Sequence, residues 1–395
     1  MTFFRNFLIT IFFIVFLFAC KNEQKSGHIS ESISIDSLLN TRYQRLLEYP
    51  VDSLSFPRSF TRSTNSIKKK PSQDWTSGFL PGNFWYLYRL TGNKVFKDKA
   101  AKWTQFIEKE KYNDGTHDMG FKVFCSFGNG YQITGNERYK RTIIESAKTL
   151  STRFNENIGC IRSWDWNRDV WEYPVIIDNM MNLELLFEAT RMSKDSSFHK
   201  IAIKHANTTL KNHFRADNSS FHVVVYDSIS GKVKDKVTHQ GYSNKSAWSR
   251  GQAWGIYGFT MSYRYTKDPA YLAQAQASAN FFINHSNLPE DGIPYWDFND
   301  PKIPNAPRDV SAAAITASAI VELAKYSNNN PDYINYTEKV LKSLRSERYV
   351  LPAKFQAPFI LDHSTGYLPG NDEIDEPIIY GDYYFLEALF RAKNQ

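Results

Sequence analysis

A single turn pattern recurs along this chain, and it limits the architecture more than any one residue does. An apolar stretch ends in Leu90-Thr91-Gly92-Asn93 and a new one starts at Val95-Phe96. The same grammar returns at Ile133-Thr134-Gly135-Asn136, at Met192-Ser193-Lys194-Asp195 and at Tyr265-Thr266-Lys267-Asp268-Pro269. A looser copy is Tyr326-Ser327-Asn328-Asn329-Asn330-Pro331. Gly ends helices because it tolerates the left-handed conformation, and Asn or Asp starts them by accepting from exposed N–H groups. Each copy is therefore a tight turn between two helices.

The two helices of each pair differ in kind. The first is apolar or small all round, as in Ala312-Ala313-Ala314-Ile315-Thr316-Ala317-Ser318-Ala319-Ile320. The second is amphipathic: Phe198, Ile201, Ala202, His205 and Thr209 fall on one helical face. Inner and outer helices follow from this. A sixth inner-type segment, Gly381-Asp382-Tyr383-Tyr384-Phe385-Leu386, closes the chain, and the amphipathic stretch 35–47 near the start supplies its partner. Six pairs make an all-α, six-hairpin (α/α)6 barrel, because closure hides the faces an open solenoid must cap. A repeat-built core also explains how residues 35–395 form one domain although they exceed the usual single-domain size.

In such a barrel all inner helices begin at one rim. The segments before them are Asp74-Trp75-Thr76-Ser77-Gly78, His117-Asp118-Met119-Gly120, Ile177-Asp178-Asn179, the stretch from Ser246 to Trp254, and Arg308-Asp309-Val310-Ser311. Asp178 opens a run, Met180-Met181-Asn182-Leu183-Glu184-Leu185-Leu186-Phe187, with almost no exposed face, and Asp118 opens a similar helix. Both suit an N-cap, which would be reason enough for their presence. Two carboxylates at the one polar rim also suit acid/base chemistry, making Asp178 and Asp118 candidate catalytic residues.

Tryptophans gather at the same rim: Trp75, Trp164, Trp166, Trp171, Trp248, Trp254 and Trp296, whereas Trp85 and Trp103 sit mid-helix as core residues. Flat aromatic faces beside paired acids suit sugar rings. A β-hairpin insertion is expected where Phe221 to Tyr226 and Lys232 to Val237 flank Asp227-Ser228-Ile229-Ser230-Gly231. It leads into Thr238-His239-Gln240-Gly241, so His222, His239, Gln240 and Arg250 become candidates for an anionic ligand. Arg250 is expected as a carboxylate clamp, its planar fork matching two oxygens. Each histidine alone reads as well as a solvated or structural residue.

The N-terminus stands apart from the fold. Arg5 precedes an apolar stretch from Phe7 to Phe18 that ends in Leu17-Phe18-Ala19-Cys20. Residues 1–19 read as a lipoprotein signal peptide, Cys20 as the lipidated residue, and 20–34 as a polar tether. The expectation is an exported lipoprotein of a Gram-negative bacterium, periplasmic or anchored to the outer membrane, touching membrane only through that lipid. Losing Arg5 lowers the formal net charge from +7 to +6, with the bases scattered. Lys68-Lys69-Lys70 is the one basic run, expected as a solvated loop rather than a nucleic-acid site. Cys125 and Cys160 could pair in an oxidising compartment or stay as buried thiols. No zinc-site spacing is present, so no metal is expected.

Taken together, Trp75-Thr76-Ser77-Gly78-Phe79, His117-Asp118-Met119-Gly120-Phe121, Ile161-Arg162-Ser163-Trp164, Ile176-Ile177-Asp178-Asn179-Met180-Met181-Asn182, Thr238-His239-Gln240-Gly241 and Arg250-Gly251-Gln252-Ala253-Trp254-Gly255 resemble glycoside hydrolase family 88, the unsaturated glucuronyl hydrolases. The resemblance covers the chain from about Asp74 onward. It implies a hydrolase that takes the unsaturated uronic acid from the non-reducing end of polysaccharide-lyase products by hydrating the carbon 4–carbon 5 double bond. Asp178 would protonate carbon 4 and then activate water, with Asp118 supporting it. His117, His222, Gln240, Arg250 and Trp254 would line the substrate site, with Trp75 and Trp164 as aromatic walls. The resemblance implies an anionic oligosaccharide as the partner, and no cofactor.

One departure bears on the leaving sugar. Family members that accept sulfated fragments tend to carry a Ser- and Lys-bearing loop here, but His363 to Glu376 lacks Lys and is acidic. Pointing inward, it would repel a sulfate. Chondroitin, hyaluronan, heparin-like and ulvan fragments all remain open. So do an unsaturated rhamnogalacturonyl hydrolase, an inverting glycosidase on the same barrel, and a glycan-binding lipoprotein without catalysis.

Overall fold

The computed structural model describes residues 25–394, so the leader and Cys20 lie outside the described residues. Its helices run α1 (Lys25–Glu48), α2 (Phe79–Thr91), α3 (Lys94–Gln105), α4 (Asn129–Thr134), α5 (Glu137–Ser151), α6 (Leu183–Ser193), α7 (Ser196–Asn212), α8 (Ser249–Thr266), α9 (Pro269–Ile283), α10 (Val310–Tyr326), α11 (Pro331–Leu344) and α12 (Ile379–Lys393). Even-numbered helices form the inner ring, which closes where α12 packs on both α10 and α2. Every residue of α10 from Val310 to Val321 is buried, as a small-residue inner helix requires. Outer α5 buries Tyr139, Thr142, Ile143, Ser146, Ala147 and Leu150, one stripe at helical spacing.

The turn chemistry is as the pattern demands. Asn93, Asn136, Asp195, Asp268 and Asn330 each accept the N–H two residues on, at 2.8–3.0 Å. Gly92, Gly135, Lys194 and Lys267 end the preceding inner helices with φ between 59° and 72°. Helix α1 is the outer partner of α12 in sequence count, and it begins inside the stretch expected as a tether. It is pinned by Arg42, whose guanidinium donates to the carbonyls of Phe359 (2.7 Å), Phe355 (2.8 Å) and Ala357.

Sheet structure is small but more extensive than one hairpin. Strands β1 (Phe56–Thr61) and β2 (Ser66–Lys70) pair ahead of the barrel, and β3 (Phe154–Asn155) pairs with β4 (Cys160–Ile161). Lys68-Lys69-Lys70 therefore lies in a strand, not a loop. The anticipated hairpin is β6 (Val223–Tyr226) with β7 (Val233–Val237), and β5 (Tyr173–Ile176) adds to its free edge to give the order β5-β6-β7. Cys125 and Cys160 are both buried and free. Among the described residues no helix is long and apolar enough to cross a membrane.

Candidate active site

Strand β5 positions Asp178. The β-branched run Val175-Ile176-Ile177 is drawn into the sheet, where Val175 and Ile176 pair with Val224 and Val223. Ile177 then donates its N–H to the His222 carbonyl at 3.0 Å. Asp178 and His222 thus leave the end of two adjacent strands side by side. The helical run starts only as a 3-10 turn, Ile177–Asn182, capped by Ile176 and continued by α6. Asp178 lies inside that first turn and caps nothing. Asp118 is no N-cap either: it precedes a π-helix, Gly120–Gly128, whose cap position is Met119.

These two helix starts are pressed together backbone to backbone. A Cβ on Gly120 would sit 2.7 Å from Asn182 Cα and 3.1 Å from Met181 O, so only glycine permits the approach. Asn182 Oδ1 seals it, accepting from Gly120 N at 2.8 Å and Phe121 N at 3.3 Å. Asp118 is then held at one carboxylate oxygen by Thr116 Oγ1 (2.7 Å), while His117 Nε2 lies 3.3 Å from the other.

Burial dominates the chemistry of Asp178. It pushes the carboxyl up to about 7; Asp118 adds to the rise, while Arg250, the backbone and the Trp254 indole pull the other way. Asp178 Oδ2 is buried without a hydrogen-bond partner, and so are His222 Nε2 and Trp254 Nε1. His222 Nε2 lies 3.8 Å from Asp178 Oδ2. Its other nitrogen, Nδ1, accepts from the backbone N–H groups of His239 (3.0 Å) and Gln240 (3.1 Å). Burial holds this ring well below the usual histidine range. A neutral ring whose Nδ1 is an acceptor carries its proton on Nε2, so His222 is a fixed donor facing Asp178. An orphaned carboxyl oxygen with two orphaned N–H groups nearby is what a site built to receive a polar ligand leaves behind.

Arg250 is buried and clasped. It donates to Asp309 Oδ2 at 2.7 Å and to the carbonyls of Thr365 and Gly366, and lies over the rings of Trp248 (4.6 Å) and Tyr380 (5.4 Å). Three of a guanidinium's five N–H donors are thereby used. Nε–H and one Nη2 hydrogen remain, which together form its side-on edge.

One cavity collects most of the rim. Trp75, His117, Asp118, Trp164, Asp178, Gln240 and Arg250 line it, together with Arg58, Phe121, Ile176, Gly366 and Tyr380. His222 and Trp254 do not line it. Trp254 is fully buried against Phe121 (5.3 Å) and Tyr384 (5.4 Å).

Residues 55–350 match the sequence profile of Glycosyl Hydrolase Family 88. The chain belongs to glycosyl hydrolase family 88. It is 57% identical to an unsaturated glucuronyl hydrolase of Formosa agariphila, over 98% of each chain. An unsaturated chondroitin disaccharide hydrolase of Streptococcus agalactiae is 34% identical over 87% of this chain and 85% of its own. Among solved structures, an unsaturated glucuronyl hydrolase specific for heparin superposes with a TM-score of 0.88 and 42% identity, covering 93% of this chain and 98% of that one. The protein is thus a glycoside hydrolase, and the family acts on unsaturated uronic acids at non-reducing ends.

Within this family 88 barrel, Arg58, Gly366 and Tyr380 line the pocket though the sequence did not single them out, and Arg58 is the charged one. It sits on β1, outside every inner helix. Glu373 holds it in a two-point ion pair (2.7 and 3.0 Å) and Asp74 at 3.0 Å, partners that only the fold brings near. The acidic loop is also read differently in three dimensions. Asp372 bonds Lys68 (2.6 Å) and Asp375 bonds Arg62 (2.6 Å), so its carboxylates are spent on the β1–β2 hairpin. The loop's charge is thereby turned in part toward that hairpin rather than toward the leaving sugar.

A second cavity lies on the barrel axis at the turn end, behind Phe121, which lines both. Its charges satisfy one another: Arg264 bonds Glu184 and Glu322 at 2.6 Å, and Arg391 bonds Glu387 at 3.2 Å. These arginines sit in the last turns of α8 and α12, where they complement the helix dipoles. That end is structural.

Proposed function

We propose that the protein hydrates the carbon 4–carbon 5 double bond of a terminal unsaturated uronate and thereby releases that sugar from a polysaccharide-lyase product. The observation that carries the reading is Asp178, its carboxyl raised to about 7 by burial and one oxygen unpartnered, inside a pocket lined by aromatic rings and Arg250. A carboxyl near 7 gives up a proton readily and takes one back readily, the two tasks the reaction sets in turn. Asp178 donates its proton to carbon 4 of the enol ether, leaving positive character shared by carbon 5 and the ring oxygen. The carboxylate so formed then takes a proton from the water whose oxygen bonds to carbon 5. The product is a hemiketal. It opens, and the glycosidic bond at carbon 1 breaks without attack on that carbon. Asp118 keeps a second negative charge near the reacting centre, and the free edge of Arg250 meets the substrate carboxylate.

The test is a panel of unsaturated disaccharides from chondroitin, hyaluronan, heparin-like, ulvan and rhamnogalacturonan lyases, followed by ultraviolet absorbance. Bleaching of the double bond in step with release of the terminal sugar is the expected result, with solvent oxygen retained at carbon 5. Cleavage of saturated fragments without an absorbance change would overturn it. Activity confined to the rhamnogalacturonan product would assign the sister reaction instead.

The same reading places the enzyme outside the cytoplasm as a lipoprotein held by Cys20. What supports it is the basic, apolar, small-residue-then-Cys order of the leader. Release of Cys20→Ser into the soluble fraction, with the wild type in the membrane fraction, is the corresponding check.

A further inference from the structure

Residues 162–172 join β4 to β5 and carry an indole, Trp166, that takes no part in the proposed reaction. Trp166 has 47% of its surface exposed, whereas the other tryptophans of the rim are buried or half-buried. It is not loosely displayed. It stacks on Trp164 with ring centres 4.8 Å apart and 26° between planes, meets Trp171 edge-on at 5.3 Å, and leans on His239 at 5.1 Å.

The loop beneath it is anchored from two sides. Arg153 and Arg162 both bond Asp165 at 2.7 Å, and the N–H groups of Val170 and Trp171 return to Asn167 O. An aromatic surface therefore runs without a break from Trp164, inside the pocket, to Trp166, in solvent. Exposed aromatic area of this kind, held rigid and continuous with a binding pocket, marks a contact site.

We infer that Trp166 forms a subsite for the sugar two positions beyond the scissile bond, so that the enzyme acts better on tetrasaccharides and longer fragments than on disaccharides. This rests on the proposed reaction, which seats the unsaturated uronate at Asp178 and the next sugar against Trp164. The third ring then leaves the pocket toward Trp166, the exposed ring stacked on Trp164. The loop tip carries Arg168 and Asp169 together, so it adds no net charge, and stacking rather than ion pairing provides the contact. The length preference is accordingly insensitive to salt, and a pyranose ring of either charge class is accepted.

The experiment compares kcat/KM for an unsaturated disaccharide and the tetrasaccharide from the same lyase digest. Wild type is expected to favour the tetrasaccharide by about 3- to 10-fold, the range one aromatic contact supplies. Trp166→Ala should bring that ratio close to one, while Trp166→Phe keeps most of it. Equal efficiency of wild type on both lengths, or an unchanged ratio in Trp166→Ala, would overturn the subsite. Disaccharide turnover by itself reports the reaction, so loss of the reaction and loss of the subsite are read separately. Indole fluorescence titrations with the two fragments judge binding even where no turnover is seen.

Discussion

Asp178→Asn should fold, bind, and lose at least ~10³-fold in kcat, since one side chain holds both the acid and the base role. The same variant should be more stable than wild type at alkaline pH. Burial raises the Asp178 pKa to about 7, above the ordinary carboxyl value of 3.8. Folding above pH 7 therefore forces an ionised carboxylate into a dry site, at a cost of up to ~4 kcal/mol. That cost fades as pH falls from 7 towards 4, where the carboxyl is protonated in the folded and the unfolded chain alike. Asparagine never incurs it. Asp382 is raised to about 7 by burial as well, but it is common to both proteins and drops out of the difference. Melting curves of the pair at pH 5 and pH 8.5 check this: the advantage of Asp178→Asn should widen at the higher pH. The opposite trend would mean that Asp178 is ionised in the resting enzyme. For wild type, kcat/KM should fall as pH rises through 7, because the first step needs the protonated form.

Arg250→Met should be the most damaging single change to the fold near the site. It strands Asp309, which is fully buried, and takes donors from the carbonyls of Thr365 and Gly366. Breaking one partner of a buried pair costs roughly 3–5 kcal/mol, a large part of a typical domain's stability. Asp309→Asn in the same chain should recover part of this, since an amide oxygen can still cap α10 through Ser311 N (3.0 Å) without leaving a bare charge. Activity should stay low in both, because the substrate carboxylate loses its partner. The residual activity should persist to higher pH than in wild type: Arg250 lowers the Asp178 pKa, and its removal lets that pKa climb further. Denaturant melts of the single and double variants, with a pH profile of each, distinguish a positioning arginine from one that only supports packing. An unshifted alkaline limb would contradict the coupling.

The barrel was legible because its signals are local. Turn residues and helical periodicity act over a few neighbours, so Asn93, Gly92, Asp195 and their counterparts could be read as caps in the order they occur, and inner helices could be told from outer ones by their burial stripe alone. Asp178, Asp118 and Arg250 could be nominated because each sits at the start of an inner helix, and one rim follows from closure. The local structure at Asp178 was harder. Val175-Ile176-Ile177 suits a strand and a buried helix equally well, and only β6, reached through about fifty intervening residues, settles the choice.

What the sequence determined by itself is the ring of paired helices and the set of side chains that its closure delivers to one end. Only the tertiary structure decided what those side chains are. His222 became a donor of fixed tautomer because two distant N–H groups occupy its Nδ1. Three of the acidic loop's carboxylates became ion-paired because Arg58, Arg62 and Lys68 lie across from it. Asp178 became an acid near neutrality because the fold buries most of its carboxyl. Charge, tautomer and desolvation depend on neighbours far apart in the chain, and no local pattern records them.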